Sequence, residues 1–241
     1  MRNVLIVDIE TQPSEDAEIA LQPFFKQLRG KYTSNAIAQA REINEKKEKL
    51  LNKAMLTPVA SKLLCIGILK LDYNDNSDIP FDEDWSILFN YNVTTEKDVL
   101  RWFSDSINIP NLKFVTFNGR SFDFPFLMFR AAVHGIDLSL PIYPYNGKDN
   151  HYDLFVHLNQ ISNLGNIENQ LSMIGLGKWL EYFGLRKKPS IASGEINLVQ
   201  LIKDGKLAEI EEYVKGDIYN TYDLWKRFGG NFMKWERIFG N

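Results

Sequence analysis

The chain has 241 residues, 44% hydrophobic and 24% charged, which is enough to bury a full core without covalent staples. Its net charge of −3 and single cysteine, Cys65, exclude an internal disulfide and a uniformly basic surface. No apolar run is long enough to span a bilayer and no signal peptide is read, so a reducing, cytoplasmic setting is expected.

In chain order, strand 1 is expected over Asn3–Ile9, where the apolar run is interrupted by Asp8. From residue 26 to residue 62, nine Lys or Arg (Lys26, Arg29, Lys31, Arg41, Lys46, Lys47, Lys49, Lys53, Lys62) face three acids, Glu42, Glu45 and Glu48. That stretch is therefore net +6 and leaves −9 for the remainder. Ser34–Met55 within it reads as a helix with a weak apolar stripe: Ile37, Ala40, Ile43, Leu50, Leu51 and Ala54. A basic helical arm, 13–58, packed lightly on the domain is expected. Phosphate contact and a solvated surface helix are equal readings of it.

Strand 2 follows at Lys62–Leu71, with Cys65 as a small buried hydrophobe, and strand 3 at Trp85–Tyr91 after an acidic turn. Thr94-Thr95-Glu96-Lys97 reads as a helix start, a threonine cap with an early acid, and the helix should reach Ile107. Strand 4 is Lys113–Phe117, ended by Asn118-Gly119, a dipeptide that favours positive φ. A helix over Phe124–His134 comes next, with Pro125 in its first turn and Gly135 near its C-cap. Then come a loop to Asn150, a short apolar run Tyr152–Leu158, and a helix Leu171–Phe183 stopped by Gly184. A loop over Pro189–Asn197, a short helix Leu198–Lys203 and a long helix Leu207–Phe228, broken around Gly216, complete the chain. Strands first and helices afterwards predict one mixed sheet covered by helices, a single α/β domain over 1–241.

Three places carry chemistry. In strand 1, Asp8 and Glu10 stand two residues apart and so share one face. Two acids at the end of a buried run are costly without a cation, and hard divalent metals take carboxylate oxygens. The competing reading is the solvated end of an edge strand. At the end of strand 4, Asn118-Gly119-Arg120-Ser121-Phe122-Asp123 places Asp123 at a helix start, where it is either a ligand or an N-cap. In the last helix, Tyr213 and Asp217 at i, i+4 share a face, as any surface pair would.

Taken together, Asp8-Ile9-Glu10, Asn118 through Asp123, and Tyr213-Val214-Lys215-Gly216-Asp217 resemble the three motifs of the DEDD exonucleases. Those enzymes have the ribonuclease H-like fold of DnaQ-like proofreading nucleases. The second motif looks most like that of the proofreading domain of family B DNA polymerases, here as a stand-alone chain. The resemblance covers nearly all of the sequence outside the arm. The position five before Asp217 is Glu212 rather than His, and Tyr213 stands four before it, which is the pattern of the tyrosine branch.

The resemblance implies a 3′→5′ exonuclease acting on single-stranded DNA ends. Asp8, Glu10, Asp123 and Asp217 would hold two Mg²⁺ or Mn²⁺ ions, one activating water and one stabilising the leaving 3′ oxygen. Tyr213 would orient the attacking water. Without metal, some of the four carboxylates should bind protons. The backbone of Thr11 would touch the terminal nucleotide, and Asn118 the nucleotide beside the scissile phosphate. Phe122 is a stacking surface or a core residue. Arg186, Lys187 and Lys188 steer phosphates or form a solvated loop, and Asp153 in His151-Tyr152-Asp153-Leu154 is an auxiliary acid at best. A separate polymerase or replication protein is a possible partner under this reading. The alternatives are an RNA exonuclease, an inactive nucleic-acid-binding module and a ribonuclease H-like endonuclease.

Overall fold

The computed structural model describes residues 2–28, 36–74, 79–142, 150–161, 174–185, 201–202 and 204–239. Five strands form one mixed sheet in the order β3-β2-β1-β4-β5. The central strand β1 (Arg2–Pro13) runs antiparallel to β2 (Ser61–Tyr73), which pairs antiparallel with β3 (Asp82–Phe89). On its other side β1 runs parallel to β4 (Leu112–Thr116), itself parallel to β5 (His151–Asp153). This is the ribonuclease H-like α/β arrangement that the motif order implied.

Strand parity sorts the core into two clusters. Leu5, Val7 and Ile9 face one side, against Val99, Leu100 and Phe103 of α3 (Glu96–Ser106) and Phe124, Phe126 and Leu127 of α4 (Asp123–Val133). Val4 and Ile6 face the other. There they meet α5 (Leu154–Ile161), α6 (Leu176–Tyr182) and Ile210, Val214 and Ile218 of the long helix α7 (Leu207–Phe239). Asp8 and Glu10 continue the parity of Val4 and Ile6, so the acids lie on the α7 side.

Most element boundaries fall where the sequence places them. Thr95 caps α3 in a reciprocal box: its hydroxyl accepts from the Asp98 N–H at 3.3 Å, and the Asp98 carboxylate accepts from the Thr95 N–H at 2.9 Å. Several expectations change. Strand β3 begins at Asp82, so acids read as a turn form the charged start of an exposed edge strand, which discourages pairing with another chain. The run read as short and apolar divides into β5 and α5.

Helix α7 is continuous through Gly216, which is buried, and extends to Phe239. One glycine costs a helix about 1 kcal/mol, less than burial of its neighbours Val214 and Ile218 returns. Helix α6 begins at Leu176, while 171–173 and the expected loop over 189–197 lie outside the described residues.

The segment between β1 and β2 holds two helices rather than one. Helix α1 (Ala17–Phe25) precedes α2 (Ala36–Asn52), and a 3-10 turn at Ala54–Leu56 leads into β2. Ala17, Leu21 and Phe25, spaced four apart, close with Ala54 and Ala60 into a small separate cluster. Of the α2 stripe, Leu50 packs there, whereas Ile37 is 82% exposed. Arg41 and Lys46 pair with Glu45 and Glu42 along α2. No described helix is long and apolar enough to cross a membrane.

Candidate metal centre

Asp8 stands opposite Gly67 of β2, and Glu10 opposite Cys65. The ladder then slips between Glu10 and Thr11, where Leu64 is an extra residue on β2. Helix α7 lies across this part of the sheet. A Cβ on Gly67 would stand 2.5 Å from Val214 Cγ1 and 3.0 Å from both Ile218 Cδ1 and the Trp85 ring. The missing side chain therefore lets α7 approach β2 directly above Asp8, and α7 carries Tyr213 and Asp217 one residue before Val214 and Ile218. As a result, carboxylate oxygens of Asp8, Glu10 and Asp217 lie within 4.8 Å of one another.

Asp123, the first residue of α4, falls outside that triangle, but its charge acts on both Asp8 and Glu10. Its N-cap reading is not met: Phe122 holds the cap position, and no side chain caps the helix.

The electrostatics are those of a crowded, desolvated acid cluster. Burial, then Asp123, Glu10 and Asp217, raise Asp8 well above the usual carboxylate range. Burial, then Asp217 and Asp123, push Glu10 up to about 8. Asp123 rises to about 7, chiefly by burial, and Asp217 to about 6, its rise moderated by hydrogen bonds from Tyr213 and Asn220. Burial and the three neighbouring acids also raise the Tyr213 phenol, so it stays a neutral donor that hydrogen-bonds Asp217. An all-oxygen donor set that repels itself fits a hard divalent cation. The expectation that some carboxylates bind protons without one agrees with these directions.

The second-motif loop is held from beneath. Asp153 is fully buried, and its carboxylate accepts the N–H groups of Asn118 and Arg120 at 2.9 Å each, of Phe155 at 3.0 Å and of Val156 at 3.4 Å. It thus caps α5 and pins the turn that leads to Asp123. The Arg120 guanidinium donates to the carbonyls of Ile142 and His151. His151 Nδ1 donates to the Pro141 carbonyl at 3.0 Å, which leaves Nε2 to accept from the Thr116 hydroxyl at 2.8 Å; that hydroxyl accepts the Gly119 N–H at 3.1 Å.

Asn118, at φ 72°, supplies the left-handed residue of the turn. Phe122 is half-buried and packs on Phe126, with ring centroids 5.8 Å apart. Thr11 is buried just past the bulge. Arg186, Lys187 and Lys188 lie outside the described residues.

The sequence reading missed two residues that build the site. Gly67 has a signal only in hindsight, a glycine amid a continuous apolar strand. Asp153 was visible, but as an acid rather than as an acceptor for backbone.

A ribonuclease H-like sheet with an acid cluster on its central strand defines a class of hydrolytic nucleases. Within that class, residues 59–234 match a family described as predicted 3′-5′ exonucleases related to the exonuclease domain of PolB. The chain belongs to that family and is a 3′→5′ exonuclease, a hydrolase. Asp8 and Glu10 precede the matched segment.

Among solved structures, the chain is similar to the family B DNA polymerase of the hyperthermophilic archaeon Pyrobaculum calidifontis. The TM-score is 0.54 at 16% identity, over 94% of this chain and 24% of that one. Exonuclease I of E. coli in complex with a dT13 oligonucleotide gives a TM-score of 0.49 at 10% identity, over 94% of this chain and 40% of that one. The chain thus spans a quarter to two-fifths of the length of these proteins. No curated protein matches.

Proposed function

We propose that the chain removes nucleotides from the 3′ ends of single-stranded DNA with the help of two divalent ions, Mg²⁺ or Mn²⁺. The observation that carries this reading is the approach of Asp8, Glu10 and Asp217 to within 4.8 Å, with Asp123 beside them. These four would hold the ions, which when bound supply activation of water and stabilisation of charge on the scissile phosphate.

The residues of the chain do the rest. Tyr213, a neutral phenol, holds the attacking water in line with the terminal phosphorus. Water adds across the P–O3′ bond, releasing a 5′-mononucleotide and a strand with a new 3′ hydroxyl. Thr11, at the bulge beside Glu10, contacts the terminal nucleotide through its backbone. Asn118 meets the next nucleotide from its turn, and the exposed edge of Phe122 offers a base a surface. The whole of 1–241 works as one exonuclease unit, with 13–58 as its arm, in proofreading for a separate polymerase or in repair of DNA ends.

The acids and phenol are equally competent on RNA, since discrimination needs a contact to the 2′ hydroxyl. Matched DNA and RNA oligonucleotides, compared at equal concentration in Mg²⁺ and in Mn²⁺, test the substrate. Faster loss of DNA supports the proposal, and faster loss of RNA replaces it with the RNA exonuclease.

A further inference from the structure

The β2 bulge beside Glu10 is completed by side chains rather than by strand. β3 ends at Phe89, the partner of Cys65, and the chain then turns away toward α3. The Asn90 N–H still reaches the Leu64 carbonyl, at 2.7 Å. Leu63, next to it, would have both peptide groups unmet in a fully buried position. Instead the Asn90 side-chain amide donates to the Leu63 carbonyl at 2.8 Å, and the Leu63 N–H donates to Glu96 Oε1 at 2.7 Å.

Glu96, only 6% exposed, is itself gripped. Arg130 of α4 donates to it twice, Nε at 2.9 Å and Nη2 at 2.6 Å, and His134 Nε2 donates at 2.6 Å. Arg130 Nη1 also reaches the Pro58 carbonyl, at 3.1 Å, where the arm returns to the sheet. A carboxylate bound bidentately on one side and to a backbone N–H on the other fixes that N–H in place.

We infer that Glu96, with Asn90, is a positioning residue: through Leu63 it sets the bulge that aims Glu10 and Thr11 at the site. The inference rests on the proposed nuclease reading. The argument is geometric. The bulge puts Leu64 and Cys65 together on the α7 side while Leu63 points to the α3 side. Thr11 pairs with Leu63, and Glu10 with Cys65. Losing the hold on Leu63 lets the ladder slip back into regular pairing, which turns Leu63 toward the α7 side and displaces the backbone of its partner Thr11, and with it that of the adjoining Glu10. Glu96 touches no substrate. It acts from the opposite side of the sheet, as the outer partners of metal ligands do.

Three variants of the full chain test this: Glu96→Gln, Asn90→Ala and, as a control for lost stability alone, Phe103→Leu in the α3 core. The readouts are Mn²⁺ binding by calorimetry, steady-state hydrolysis of an oligonucleotide, and thermal melting. Glu96→Gln and Asn90→Ala should weaken Mn²⁺ binding by about tenfold and lower kcat/KM for the oligonucleotide. Phe103→Leu should melt earlier and bind Mn²⁺ like the wild type.

If Glu96→Gln and Asn90→Ala only melt earlier, with wild-type Mn²⁺ affinity, the inference is overturned, and a wild type that binds no Mn²⁺ overturns it as well. Should Glu96→Gln fail to fold, Asn90→Ala decides. A wild type that binds Mn²⁺ but hydrolyses nothing refutes the nuclease reading, while the binding measurement still judges the role of Glu96.

Discussion

Asp8 and Glu10 meet because a strand alternates its faces, and they are costly because the same alternation leaves them half-buried beneath α7 among other acids. That much was legible from the spacing in the sequence. The i, i+4 pairing of Tyr213 with Asp217 was legible as well, since both lie on one turn of one helix. What spacing could not give was which acid each would meet, because Asp217 reaches Asp8 only through the packing of α7 on β2. Replacing Asp8 by Ala should cut hydrolysis by more than about 100-fold, beyond the usual effect of changing an outer partner. In EDTA at neutral pH the same variant should melt above the wild type, because the cost of holding the Asp8 carboxyl in a desolvated cluster of acids is gone. Tyr213→Phe keeps the ring and deletes the donor, so single-turnover rates should fall about 100-fold while DNA affinity holds. Wild-type rates from Tyr213→Phe would remove the phenol from the mechanism.

Among elements, the contact of α7 with β2 decides the site. Gly67 leaves no room for a methyl against Val214, a β-branched side chain with little freedom to move. Gly67→Ala should therefore destabilise the fold by about 1–3 kcal/mol in urea titration. It should also reduce activity more than that loss explains, since Tyr213 and Asp217 move with the helix. The existence of the first two strands, and α3 with its Thr95 cap, could be read from apolar runs and capping chemistry, whereas the antiparallel pairing of those strands could not. β5 could not: three residues are too short for a period, and its strand character comes from pairing with β4. Helix α1 was missed because Pro23 and the polar residues around it look like loop, and its stability comes from the contact of Leu21 and Phe25 with the return segment. The continuity of α7 through Gly216 is likewise a tertiary effect that overrides local propensity.

For the molecule as a whole, the acid cluster links stability to both pH and metal. Glu10, Asp123 and Asp217 titrate near 8, 7 and 6 in the folded chain. Their ordinary values lie near 4. The folded protein thus holds protons that the unfolded chain releases, so the cluster's contribution to stability is complete below about pH 4 and is lost as pH rises toward about 8. Glu96 has the opposite sign. Burial raises it, but the hydrogen bonds from Arg130 and His134 outweigh that and hold it low, so its contribution is lost as pH falls through its depressed value. Melting curves in EDTA should therefore decline from about pH 5 to 8, and Mn²⁺ should flatten that decline. A pH profile identical with and without metal would separate the cluster from metal binding.

The fold class and the site acids were legible because motif order and strand parity are local properties. Gly67 and the Asp153 clamp were not, because they act through contacts across the sheet. The most direct test of the account is digestion of a 5′-labelled single-stranded DNA oligonucleotide by the wild type and by Asp8→Ala, with Mn²⁺ and with EDTA. The account predicts a ladder shortening from the 3′ end only for the wild type with metal. Equal ladders from Asp8→Ala, or cleavage that persists in EDTA, would contradict it.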